Sequence, residues 1–169
     1  MRLHSARVPQ VAAEMVNSLV EGGDIETDSK AEVQADVESV LNQYIRDEQD
    51  VTEKARQLLA SRGMAATELS RMRRLVADDR GIKVGDDAVD YLLDQLVEML
   101  MHSNNVEEIY AEDVELRRKL REPLRAQAAA EQQLQAEVRG RLKHVQEGTS
   151  VWEVEYRRMM EDIKRRKGL

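Results

Sequence analysis

The chain has 169 residues with 33 acidic and 26 basic side chains, no cysteine, no phenylalanine, and as its only aromatics Tyr44, Tyr91, Tyr110, Trp152 and Tyr156. Without cysteine there is no disulfide framework, no thiolate zinc site and no cysteine nucleophile. Apolar runs such as Leu96 to Met101 are broken by charge far short of the roughly 18 residues a membrane span needs, and Met1-Arg2-Leu3-His4 lacks the apolar block of a signal peptide, so the expectation is a cytoplasmic protein with no membrane role.

In chain order, Val8, Val11, Ala12, Met15, Val16, Leu19 and Val20 follow helical i, i+3, i+4 spacing. Pro9 suits the opening turn, where a missing N–H costs nothing, and Gly22-Gly23 stops the helix. Ser29 with Glu32 three residues later reads as a capping box opening a second helix that carries Val33, Val37, Val40, Leu41, Tyr44 and Ile45. Asp50 with Glu53 reads as a third helix start, ended by Arg62-Gly63. A fourth helix runs from about Thr67 through Leu69, Met72, Leu75 and Val76 to Gly81.

The second half repeats this plan. Asp86 or Asp87 is expected to cap a helix through Val89, Leu92, Leu93, Leu96, Val97, Leu100 and Met101. A short helix carries Val114, Leu116 and Leu120, and Glu122-Pro123 marks a boundary or kink. A long Ala- and Gln-rich helix follows to Val145, its apolar stripe being Leu124, Ala128, Leu134, Val138, Leu142 and Val145. Gly148 ends it, and Ser150 with Glu153 opens the last helix, with Trp152, Tyr156, Met159, Met160 and Ile163 inward. Period-two alternation is absent apart from a short piece at Ile82 to Val84.

With a shift of 81, Leu3, Val8, Val11, Ala12, Met15, Val16, Leu19, Val20 and Ile25 fall on Val84, Val89, Leu92, Leu93, Leu96, Val97, Leu100, Met101 and Val106, and every pair is apolar. With a shift of 87, Leu69, Met72, Val76 and Gly81 fall on Tyr156, Met159, Ile163 and Gly168. The expectation is an all-α fold of two tandem four-helix units, residues 1–83 and 84–169, the second with the longer Ala/Gln-rich helix. Because each unit alone is small, a shared core is open to them.

Charge repeats too. Residues 14–53 hold twelve acids and two bases, and residues 54–84 hold eight bases and three acids; residues 85–115 hold ten acids and no base, and residues 116–169 fourteen bases and eight acids. Acidic helices packed beside basic ones explain this pattern. The competing explanation is a basic surface of Arg71, Arg73, Arg74 and Arg80 with Arg157, Arg158, Lys164, Arg165, Arg166 and Lys167 facing RNA.

Catalytic signatures are missing. No Glu-x-x-His pair, phosphate-binding glycine loop or nucleophile elbow occurs, and His4, His102 and His144 are far apart. Asp78-Asp79 and Asp86-Asp87 read as turn and cap residues, since adjacent helical side chains point about 100° apart. No catalytic, cofactor-binding or metal-ligating residue is assigned, and no small-molecule substrate is indicated.

The opening Met1-Arg2-Leu3, the turn before Ile25-Glu26, the Arg/Met-rich last helix and the basic-glycine endings Arg80-Gly81-Ile82 and Lys167-Gly168-Leu169 resemble the bacterial family called domain of unknown function 507. The resemblance implies a small helical cytoplasmic protein of bacterial origin, here in tandem form. It brings no activity and no site residues. The expected function is non-enzymatic protein–protein interaction, including self-association through Leu134, Val138, Leu142 and Val145. The alternative is an accessory RNA- or ribosome-binding factor using the basic terminal helices.

Overall fold

The computed structural model describes residues 2–168. The chain is all-α apart from a two-residue pairing. In chain order it forms α1 (Val8–Glu21), β1 (Ile25–Glu26), α2 (Lys30–Ser61), α3 (Leu69–Arg80), α4 (Ala88–His102), β2 (Glu108–Ile109), α5 (Asp113–Arg141) and α6 (Ser150–Arg166). Each half therefore runs helix, short strand, long helix, helix, with three α-helices where the spacing predicts four.

The missing boundaries have a common cause. Asp50 and Glu53 do not start a helix, because Val51, Ala55 and Leu59 prolong the buried stripe of Val33, Val37 and Leu41 on one unbroken α2. No glycine or proline lies between Lys30 and Ser61. The Thr52 hydroxyl simply donates to the Glu48 carbonyl one turn back. Likewise Pro123 lies inside a continuous α5. Its missing N–H leaves the Lys119 carbonyl without the usual helical donor, a cost of about 3 kcal/mol. Burial of Pro123 with Leu116, Leu120 and Leu124 on the same helix offsets it. At Ser29 half of the expected capping box forms: its hydroxyl accepts from the Glu32 amide, while its own amide donates to the Thr27 hydroxyl oxygen rather than to the Glu32 carboxylate. At α6 it moves one residue upstream, with Thr149 rather than Ser150 accepting, from the Trp152 amide. Asp87 occupies the N-cap position of α4 without a side-chain bond, a single 3₁₀ turn leading in instead.

Helix α1 packs on α2 and α5, and α4 packs on α5 and α2. The first helix of each half thus touches the long helices of both halves. One continuous core results, and the largest of its wholly buried side chains include Met15, Leu19, Leu41, Leu92, Leu93, Leu96, Leu100, Leu120 and Leu124. Most residues of the shift-81 pairing enter it from both halves.

The strands tie the halves together. Ile25 lies opposite Ile109 and Glu26 opposite Glu108 in antiparallel register. The extended piece expected at Ile82 to Val84 does not pair as a strand; the Ile82 and Val84 side chains join the core between α2 and α3 instead. On either side of the strand pair sit two polar contacts at matching positions of the halves. Asp24, buried, pairs with Lys119. At the corresponding place Asp36 accepts from Ser103 Oγ at 2.6 Å and from Asn105 Nδ2 at 2.9 Å. Gly22 leaves room for the first contact, since a Cβ there would meet the Lys119 ammonium.

The long helices outrun this bundle. At 1.5 Å per residue, α2 is about 48 Å long and α5 about 44 Å. Beyond the bundle each carries a hairpin arm with its own small core. The first arm joins Val51, Ala55 and Leu59 to Met72, Val76 and Ala77 and is closed by Ile82 and Val84. The second joins Leu134, Val138 and Leu142 to Met160 and Ile163. Of the stripe expected to self-associate, Leu134, Val138 and Leu142 are therefore covered by α6 of the same chain, while Val145 lies beyond the end of α5 and is half-buried.

Candidate docking site

The cations of the last helix in each half are engaged unequally: three of the four on α3 pair with carboxylates but, among the described residues, only two of the six on and just after α6. In the first arm Arg73 donates to Glu48 and to Thr52, both at 3.0 Å. Arg71 lies 3.5 Å from Glu68 and Arg80 3.8 Å from Asp50. In the second arm Lys167 is 3.1 Å from Glu137 and Arg165 is 3.9 Å from Asp162. Arg117 and Arg121 on α5 reach Asp94 and Asp90 on α4 at 2.6 and 2.8 Å. Part of the repeating charge pattern thus resolves into pairs between neighbouring helices, and part into pairs one turn apart on the same helix, as at Arg117–Asp113 and Arg141–Glu137. Arg74, Arg157, Arg158 and Arg166 have no carboxylate partner among the described residues.

The histidines do not converge. His102 is exposed at the end of α4, 3.9 Å from Glu98, and His144 is exposed after α5. His4 is different: its Nε2 lies 2.7 Å from Oε2 of buried Glu131 and 3.4 Å from Lys164 Nζ. Burial lowers the Lys164 pKa, opposed by the Glu131 charge and reinforced by Arg2. This cluster fastens the start of the chain to the second arm. Among the described residues no group of three or more His, Asp or Glu side chains is arranged to hold a metal, and no helix is long and apolar enough to cross a membrane.

Around the strand pair the surface is acidic. The Tyr110 hydroxyl donates to Glu26 at 2.5 Å. Glu107 shares a hydrogen bond with Asp28, which raises its pKa above the ordinary carboxylate value.

Two hollows border α2 and α3. The larger, about 570 Å³, includes Arg2, Arg56 and Arg73 together with Glu48, Asp50 and Glu53 in its lining. Its charges compensate each other, and Arg73 is already committed to Glu48. The other is a groove of about 470 Å³ along the outer side of the first arm. Helix α2 and its C-cap contribute Lys54, Leu58 and Arg62, one turn apart, and α3 contributes Met72, Leu75, Val76, Asp79 and Arg80. The floor is apolar and the rim carries three cations against one acid. Leu75 is 54% exposed, because Leu69, Met72 and Val76 form the stripe that packs on α2 and Leu75 falls beside it.

The second arm presents an apolar ridge rather than a groove. Trp152 and Tyr156 stack with centroids 4.8 Å apart and pack on the arm's core. The opposite side of α6 exposes Val151 and Val154 by 62% and 64%.

Leu75 is legible in the sequence as part of a helical stripe, but not as its uncovered member. Lys54-Leu58-Arg62 carries an i, i+4, i+8 signal that the false boundary at Asp50 hides. Val151 and Val154 stand out only once the inward face of α6 is known.

A family model described as protein of unknown function (DUF507) matches residues 1–169, and the chain belongs to that family. No curated protein matches it.

Proposed function

We propose that this DUF507 member is a non-enzymatic interaction protein of the bacterial cytoplasm, whose docking surface is the groove between α2 and α3. One observation carries the reading: an apolar floor with a half-exposed Leu75, rimmed by Lys54, Arg62 and Arg80. Two helices side by side, with anchors one turn apart on each, offer a seat for a third amphipathic helix. The rim cations favour acidic flanks on that helix and set its register more than its affinity.

The architecture also supports an origin by duplication, with units at 1–83 and 84–169 whose leading helices interlock in one core. Matching element order, the apolar pairs at a shift of 81 and the matching polar contacts at Asp24 and Asn105 favour this history.

The test places a photo-crosslinking residue at Leu75 of the full chain in cells. A discrete cross-linked protein product, absent when the same residue replaces exposed Gln57, is expected. No product from Leu75 contradicts the reading. A second reading, accessory RNA or ribosome binding, draws on Arg74, Arg157, Arg158 and Arg166. It predicts cosedimentation with ribosomes that falls steeply as salt rises, and absence of cosedimentation at low salt removes it.

A further inference from the structure

We infer that residues 2–4 are a strap between the two arms, and that the seat of His4 on Glu131 decides how often the second arm opens.

The strap is anchored at its centre. Leu3 is 5% exposed and belongs to the central core. The His4 carbonyl accepts from the Arg7 amide at 2.9 Å, which joins the segment to α1 through a single 3₁₀ turn. From that anchor the side chains part. Arg2 and Leu3 line the hollow of the first arm together with Thr52 and Arg56 of α2 and Leu69 and Arg73 of α3. His4 turns to the second arm, where its ring lies 2.7 Å from Glu131 on α5 and 3.4 Å from Lys164 on α6. Three consecutive residues thus reach both arms.

Glu131 makes the contact a gate. Its side chain is 8% exposed, with Oε2 on the His4 ring and Oε1 without a hydrogen-bond partner among the described residues. A carboxylate this far from water is costly to leave without a partner. With His4 seated, the closed arm keeps Glu131 partnered. With His4 away, the cluster around Glu131 retains only Lys164, and the readiest way to hydrate the carboxylate is to part α6 from α5. The small core of the second arm resists that parting less than the core of the first arm would. The strap therefore couples the seating of the start of the chain to the closure of α6, in both directions.

The chain has no cysteine, so spin labels go only to cysteines introduced at exposed Gln57 on the first arm and exposed Glu161 on the second. Double electron–electron resonance on the full chain should give one narrow distance. His4→Ala should add a second, broad population, and exchange of the α6 amides should quicken about tenfold or more while the bundle amides keep their protection. His4→Gln, which keeps a neutral donor, should fall between. Removing the buried charge as well, His4→Ala with Glu131→Leu, should return the single distance, because no carboxylate is left to hydrate.

An unchanged distance and unchanged α6 exchange in His4→Ala overturn the inference. So does a loss of protection that spreads evenly through the bundle, which would make His4 an ordinary stabilising contact. Opening that persists in the double variant also overturns it, since the buried charge would then not be the gate.

Discussion

The two arms are built on the same plan and finished differently. In the first, the connection to the next half folds back over the hairpin: Ile82 and Val84 are buried in its core, and the Tyr44 hydroxyl donates to the Lys83 carbonyl at 3.0 Å. Tyr91 packs on both this arm and the central core, with its ring 6.0 Å from that of Tyr44. The second arm's core includes no residue from such a connection, and the start of the chain meets that arm through His4 on Glu131. One Glu131 oxygen remains buried without a hydrogen-bond partner. The second arm's buried core is also smaller, and the stretch of α5 beneath it is rich in alanine and glutamine. Apolar area removed from water sets how firmly a hairpin holds. The first arm is therefore an extension of the central core, and the second a more independent hairpin.

The largest effects should come from the core that both arms depend on. Leu120 is wholly buried there, and Leu120→Ala should cost about 4 kcal/mol. Urea denaturation should show the main dichroism transition moved to lower urea as one step; a main transition split in two would mean that the halves fold separately. Lys119→Met leaves Asp24 buried beside the strand pair without its partner, and should cost about 3 kcal/mol. Adding Asp24→Asn should recover most of that loss, which distinguishes a stranded charge from lost packing.

The comparison sharpens with a matched pair. Leu59→Ala in the first arm should lower global stability by about 2 kcal/mol. Leu134→Ala in the second should open that arm while the central transition stays in place. Amide hydrogen exchange reads the difference, and equal spreading from both substitutions would break the comparison.

A smaller effect belongs to Tyr44, where burial, with help from the Glu48 charge, pushes the phenol well above the ordinary tyrosine value. The unfolded chain releases this proton near pH 10 and the folded chain keeps it. Stability from this group is therefore whole below about pH 10 and falls as pH climbs above it. Tyr44→Phe should flatten that alkaline loss, measured as the urea midpoint between neutral pH and pH 11.

Helical spacing made the elements legible, and Val8, Val11, Leu92 and Leu93 all enter the core as their spacing predicts. What it hid were continuations. Asp50 and Pro123 carry local signals of helix ends, and both were overridden by burial on either side, of Tyr44 and Val51 in one case and Leu120 and Leu124 in the other. The covering of Leu134 and Val138 by α6, and the uncovering of Leu75, are consequences of how hairpins close. A single helix's pattern does not contain them. The buried contact between Asp24 and Lys119 spans most of a hundred residues and leaves no local trace.

Trp152, the only tryptophan, sits in the second arm, so one titration separates the arm from the bundle. Urea unfolding followed in parallel by Trp152 fluorescence and by far-ultraviolet circular dichroism tests the central claim most directly. Two-state behaviour would make the curves coincide. An independent second arm predicts a fluorescence midpoint at clearly lower urea than the main dichroism transition; superimposable curves would contradict it.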